Sequence, residues 1–122
     1  MKVTINHSYE LTNQDIDDIM VTALEGAINY WCGAAHILSV PKKYIDEVKY
    51  ASDVISVGGQ LLLTDVEDPE EKWILDKKKF VKGFKKHCEE RGANPEDMVE
   101  GHDATDADCI IQYALFNEIV FG

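Results

Sequence analysis

Residues 60–92 read QLLLTDVEDPEEKWILDKKKFVKGFKKHCEERG, and this stretch decides the fold class. Leu61, Leu62 and Leu63 open one strand, and Trp73, Ile74 and Leu75 form another. Between them Asp65, Glu67, Asp68, Glu70 and Glu71 surround Pro69, which is turn chemistry. Segment 60–76 therefore predicts a hairpin with a long acidic loop. Asp76 stands where a helix N-cap belongs. Phe80, Val81, Phe84 and Cys88 follow at helical spacing, with the lysines mostly on the other sides. Gly92 closes that helix in the expected position. A hairpin leading into an amphipathic helix predicts the α+β class: three or four helices on a small antiparallel sheet.

Upstream, residues 2–10 read as a strand, with Val3 and Ile5 alternating with polar neighbours. Thr12 then looks like an N-cap, with Asp15 three residues on. Ile16, Ile19, Met20, Ala23, Leu24, Ala27, Ile28 and Trp31 recur at spacings of three and four, predicting a core-facing helix over 13–31. Gly26 inside it points to a close backbone neighbour. Gly33, Ala34, Ala35 and Pro41 break the pattern. Tyr44, Val48, Ala51 and Ile55 fit a second helix that stops at Gly58-Gly59, with an extended 44–50 as the alternative. Downstream, 93–105 reads as a polar loop. A last helix begins near Thr105 or Asp106 with Ile110, Ile111, Ala114 and Leu115. The apolar end, Ile119, Val120 and Phe121, is expected to tuck against the core or pair as a short strand. No linker or repeat interrupts the 122 residues, so one domain over 1–122 is expected.

The chain carries 23 acids against 12 bases, a net charge of −11. Such a charge repels nucleic acid and anionic membranes at long range, so direct binding to either is not expected. The imbalance is local. Residues 72–91 hold eight bases and three acids, leaving a balance of −16 on the rest. One solvated cationic helix face explains this; an anion site on that helix, or a protein-facing acidic surface elsewhere, are the alternatives. Cys32, Cys88 and Cys109 are odd in number and none forms a CxxC pair. With no secretory leader pattern at the start and no apolar run near the roughly 20 residues of a membrane span, the expected setting is a reducing cytoplasm.

No recognised catalytic or metal signature occurs, and neither enzymatic activity nor a cofactor or metal is expected. His102, Asp103, Asp106 and Asp108 suggest metal ligands only until one notes that acids belong at a helix start. Cys32 and His36 would meet only if the first helix continued past Gly33. Two aromatic–amide stretches remain. Asn29, Tyr30 and Trp31 close the first helix, and Gln112, Tyr113, Phe116 and Asn117 lie in the last. Aromatic faces stack on bases and amides read base edges, though core packing with polar tips is the plain alternative.

The strings ALEGAINYWC (23–32), YASDVISVGGQLLL (50–63) and ADCIIQYALFNEIVFG (107–122) resemble a family of small prophage-encoded proteins of Gram-positive bacteria, one with no assigned activity. Residues 33–49 and 93–104 depart from that family's pattern. The resemblance implies a phage protein acting in the cytoplasm of a bacterial host, and suggests antagonism of host defence by binding. Two mechanisms fit. In one, acids on the Asp65–Glu71 loop (Asp65, Glu67, Asp68, Glu70, Glu71) fill the basic groove of a nucleic-acid-handling host protein, in the manner of a DNA mimic or anti-CRISPR protein. In the other, Asn29, Tyr30, Trp31, Lys82, Lys85, Lys86, Tyr113 and Asn117 form a pocket that sequesters a small nucleotide signal. A phage accessory protein without defence function is the third reading, and a homo-oligomer is compatible with all three.

Overall fold

The computed structural model describes residues 8–122, so the strand expected over 2–10 lies largely outside the described residues. Among the described residues four helices pack on a three-stranded antiparallel sheet, the α+β arrangement anticipated from the sequence. Helix α1 spans Asn13–Thr22, α2 Lys77–Arg91, α3 Pro95–Gly101 and α4 Ala104–Phe116. The strands are β1 Cys32–Ser39, β2 Gln60–Asp65 and β3 Lys72–Leu75, in the order β1-β2-β3.

The helix starts follow capping chemistry. Thr12 and Asp15 form a capping box on α1, and Asp103 and Asp106 form one on α4. Asp76 accepts from the Lys79 N–H at the start of α2, and Gly92 ends α2 with φ 64°. The hairpin is as read: Leu61 pairs with Leu75 and Leu63 with Trp73. Leu61, Leu63 and Leu75 all turn inward and are fully buried. They meet Ile16, Ile19 and Met20 of α1, Phe80 and Phe84 of α2, and Ile110 and Ile111 of α4 in one core.

Four expectations are corrected. The helix over 13–31 ends as an α-helix at Thr22. A π turn, Ala23–Ala27, follows, and the backbone leaves helical geometry at Gly26. Bonds from the Ile28 N–H to the Ala23 carbonyl and from the Cys32 N–H to the Ile28 carbonyl wind the chain onward, so Ile28 and Trp31 still face the core. Periodicity cannot tell such a wound turn from a helix. Nothing approaches the Cβ position of Gly26, so close packing is not its reason.

The second correction is β1, which the reading of 33–58 missed. Cys32 alone of its residues is buried and the others lie half-buried or exposed along a sheet edge, so it shows no two-residue alternation. The third concerns the helix expected to end at Gly58. Single 3-10 turns at Lys42–Tyr44 and Ala51–Asp53 replace it, with Ile55 buried and Tyr44, Val48 and Ala51 only partly so. Gly59 is fixed by close approach: a Cβ there would lie 2.5 Å from the Ser39 carbonyl oxygen and 2.6 Å from Val54 Cγ1. The fourth is α3, inside the expected loop 93–105. Asn94 caps it and Pro95 sits in its first turn, a start signal the overall polarity concealed.

Candidate functional site

The antiparallel register sets Cys32 opposite Asp65, and Thr64 opposite Lys72. The start of β1, the end of β2 and the start of β3 therefore share one end of the sheet. Tyr30 and Trp31 lead into it, and the acidic loop projects from it. Helix α4 delivers the C-terminal residues to the same place.

Trp31 is the hub. Its ring is buried and stacks on Phe121, with centroids 5.0 Å apart and planes 4° apart. Trp73 and Phe116 meet it edge-on at 5.7 and 5.9 Å. Its Nε1 donates to Asp108 Oδ1 at 2.8 Å, and the Tyr30 hydroxyl donates to Asp108 Oδ2 at 2.5 Å. Gln112, fully buried, donates to Asp108 Oδ1 at 2.9 Å and to the Phe121 carbonyl at 3.2 Å. Its Oε1 accepts the backbone N–H groups of Val120 and Phe121, both at 2.8 Å. A buried amide with both ends bonded holds the backbone of residues 120–121 much as a neighbouring strand would. Thus residues from 23–32 and from 107–122 meet in one network. Of the apolar end, Phe121 packs against the core while Ile119 and Val120 stay exposed, and none of the three pairs as a strand. Burial, with the hydrogen bond to Asp108, pushes the Tyr30 phenol up to about 12.

Within the loop the five acids divide. Asp65 Oδ1 accepts the Glu67 and Asp68 N–H groups at 2.8 and 3.0 Å, and Asp68 Oδ1 accepts the Glu70 N–H at 3.0 Å. Asp65 and Asp68 shape the turn. Glu67, Glu70 and Glu71 are exposed and, among the described residues, their carboxylates form no ion pair.

The lysine face lies elsewhere. Lys82, Lys85, Lys86 and Asn117 line a shallow depression between α2 and the end of α4, together with Glu89 and Glu90. Lys86 Nζ donates to the Asn117 carbonyl at 2.7 Å and sits 5.4 Å from the Tyr113 ring centroid. So Lys82, Lys85, Lys86, Tyr113 and Asn117 come together. Asn29, Tyr30 and Trp31 do not join them. Trp31 is buried in the aromatic hub, Tyr30 is bonded to Asp108 across the other side of α4, and Asn29 borders a depression beside Cys32–Ala35.

His102, Asp103, Asp106 and Asp108 diverge. His102 bonds the Val99 carbonyl, Asp103 caps α4, and Asp108 serves the Trp31 hub. Among the described residues no cluster of three or more His, Cys, Asp or Glu is placed to hold a metal. Asp106 does something sequence reasoning missed: buried, it accepts from His87 Nε2 at 2.8 Å and Arg91 at 2.9 Å. Nothing in a 19-residue separation signals that pairing. Burial pushes the Asp106 carboxyl upward, but the bonds from His87 and the Asp103 N–H, with the His87 and Arg91 charges, outweigh it and leave it below its ordinary value of 3.8. A carboxylate with a lowered folded pKa adds stability that is complete above the unfolded value and disappears as pH falls through the folded one. Asp106→Asn is therefore expected to flatten the acid limb of stability. Urea unfolding from neutral pH downward checks this, with the largest difference from the parent at neutral pH.

Cys32 and His36 both lie on β1, Cys32 buried and His36 exposed, so no helical pair forms. All three cysteines are free, and burial raises each thiol pKa. Native alkylation is expected to be slow and to reach Cys109 first, the least buried, with three labels taken up on denaturation; intact mass reads both. No helix among the described residues is long and apolar enough to cross a membrane. No family model, curated protein or solved structure matches the chain.

Proposed function

We propose that this chain is a non-enzymatic, phage-encoded binding protein of the bacterial cytoplasm that antagonises an anti-phage defence system, docking its acidic end on the basic surface of a nucleic-acid-handling host protein. One observation carries the reading: Glu67, Glu70 and Glu71 stand exposed and, among the described residues, without an ion pair on a loop braced by Asp65 and Asp68. The bonds of Asp65 and Asp68 fix the backbone that carries those carboxylates. Complementary fields of this kind steer encounter and select partners.

A second reading, sequestration of a small nucleotide signal, draws on the depression formed by Lys82, Lys85, Lys86 and Asn117. Two features weigh against it. Glu89 and Glu90 share that depression, and of the two stacking candidates Tyr113 lies beside it while Tyr30 is bonded to Asp108 away from it. Affinity capture from host lysate, beside native mass spectrometry of the purified chain, separates the two. A nucleic-acid-handling protein released by raised salt supports the first. A nucleotide travelling with the chain and no protein partner contradicts it.

A further inference from the structure

The acidic end also carries exposed apolar side chains. Tyr30 is 51% exposed, Val66 48%, Ile119 44% and Val120 51%. The hub gathers them. The Val66 N–H donates to the Trp31 carbonyl at 2.8 Å, beside Tyr30. The Tyr30 hydroxyl reaches the Phe121 carbonyl at 3.4 Å, and Val120 is tied to Gln112 next to it. Val66 opens the loop that holds Glu67, Glu70 and Glu71, and Glu118 adjoins Ile119 on the other side. Surface apolar residues scattered singly need no explanation, but a group of them at one end with a charged border has the make-up of an interface centre and rim.

We infer that Tyr30, Val66 and Val120 form the anchor of a protein-docking surface, and that its occupant is a basic protein face offering an apolar pocket. This rests on the proposed acidic-end reading and adds its specificity. Charge argues for the occupant: acids border the apolar group, so the complementary face is basic around an apolar centre. A DNA-binding groove that presents phosphate contacts alone would use the glutamates and leave these side chains wet. The rigid backing also favours an anchor. Tyr30 is held by Asp108 and Val120 by Gln112, so little freedom is lost on docking.

The test uses two synthetic helical peptides of equal positive charge, one with leucines along one face and one with serines in their place. Isotope-labelled full-length protein is titrated with each by NMR. The leucine peptide is expected to bind on the order of ten-fold tighter, with the largest shifts at Tyr30, Val66 and Val120. In Val66→Ser/Val120→Ser that preference should vanish, while the residual binding stays sensitive to salt. In Glu67→Lys/Glu70→Lys/Glu71→Lys both peptides should weaken. Thermal unfolding of each variant confirms that it folds. Equal affinity for the two peptides in the parent chain, or shifts confined to the Lys82–Asn117 face, overturns the inference. If the glutamate variant still weakens both peptides, the acidic-end reading survives that failure; if it binds both as the parent does, that reading falls too. A dimer by light scattering that the two valine changes dissolve also overturns the inference, since the occupant would then be a second copy.

Discussion

Trp31→Ala is expected to lower the unfolding free energy by roughly 3–5 kcal/mol, the range for deleting a large buried aromatic. The upper end is the appropriate one. The change removes a stacked partner from Phe121 and edge contacts to Trp73 and Phe116. It also leaves Asp108 Oδ1 without one of its donors. Residues 117–122 should loosen with it, so their backbone amides should exchange with solvent faster than those of α2. Chemical denaturation gives the first quantity and hydrogen exchange the second. A loss below about 1 kcal/mol, far short of that range, with unchanged exchange over 117–122, would show that Trp31 is not the hub.

Gly83→Leu should be comparably damaging, by the opposite mechanism. A Cβ at Gly83 would lie 2.6 Å from the Ala114 backbone nitrogen and 2.8 Å from its Cα, and would also strike the Ile110 carbonyl. These are backbone atoms of α4 and do not swing aside. The two helices must separate, opening the packing around Phe80 and Phe84. Overpacking of this kind costs about 3 kcal/mol at its usual upper bound. Gly101→Ala is the control. Nothing stands within 4 Å of its Cβ position, so it should be neutral to within about 0.5 kcal/mol. Urea midpoints of the two variants decide the matter, and equal midpoints would mean that α2 and α4 are not in backbone contact at Gly83.

What was legible in the sequence was local. Thr12, Asp76 and Gly92 announced helix ends because capping depends on a few neighbouring residues. The 60–76 hairpin was readable because its acidic turn interrupts two apolar runs. Edge strand β1 was not, since small and exposed residues such as Ala34 and His36 leave no alternation. The site followed the same division. The acids of 65–71 are contiguous, so their clustering was visible at once. That Asp65 and Asp68 spend their carboxylates on the turn is a matter of bond geometry and was not visible. Asn29, Tyr30 and Trp31 read as a stacking platform by composition. The role of Tyr30 and Trp31 emerged only when α4 brought Asp108 and Gln112 against them, across separations of 77 and 82 residues.

The most direct measurement of the central claim is rescue of a phage from host defence by two variants of matched fold. One carries Glu67→Lys, Glu70→Lys and Glu71→Lys, sparing Asp65 and Asp68 so that the turn survives. The other carries Lys82→Gln and Lys85→Gln, sparing Lys86 because it bonds the Asn117 carbonyl. Acidic-end docking predicts that the glutamate variant loses rescue, through association slowed on the order of ten-fold or more at low salt, while the lysine variant keeps it. Full rescue by the glutamate variant with loss in the lysine variant would contradict the account and favour nucleotide sequestration; full rescue by both would leave an accessory protein without a defence role.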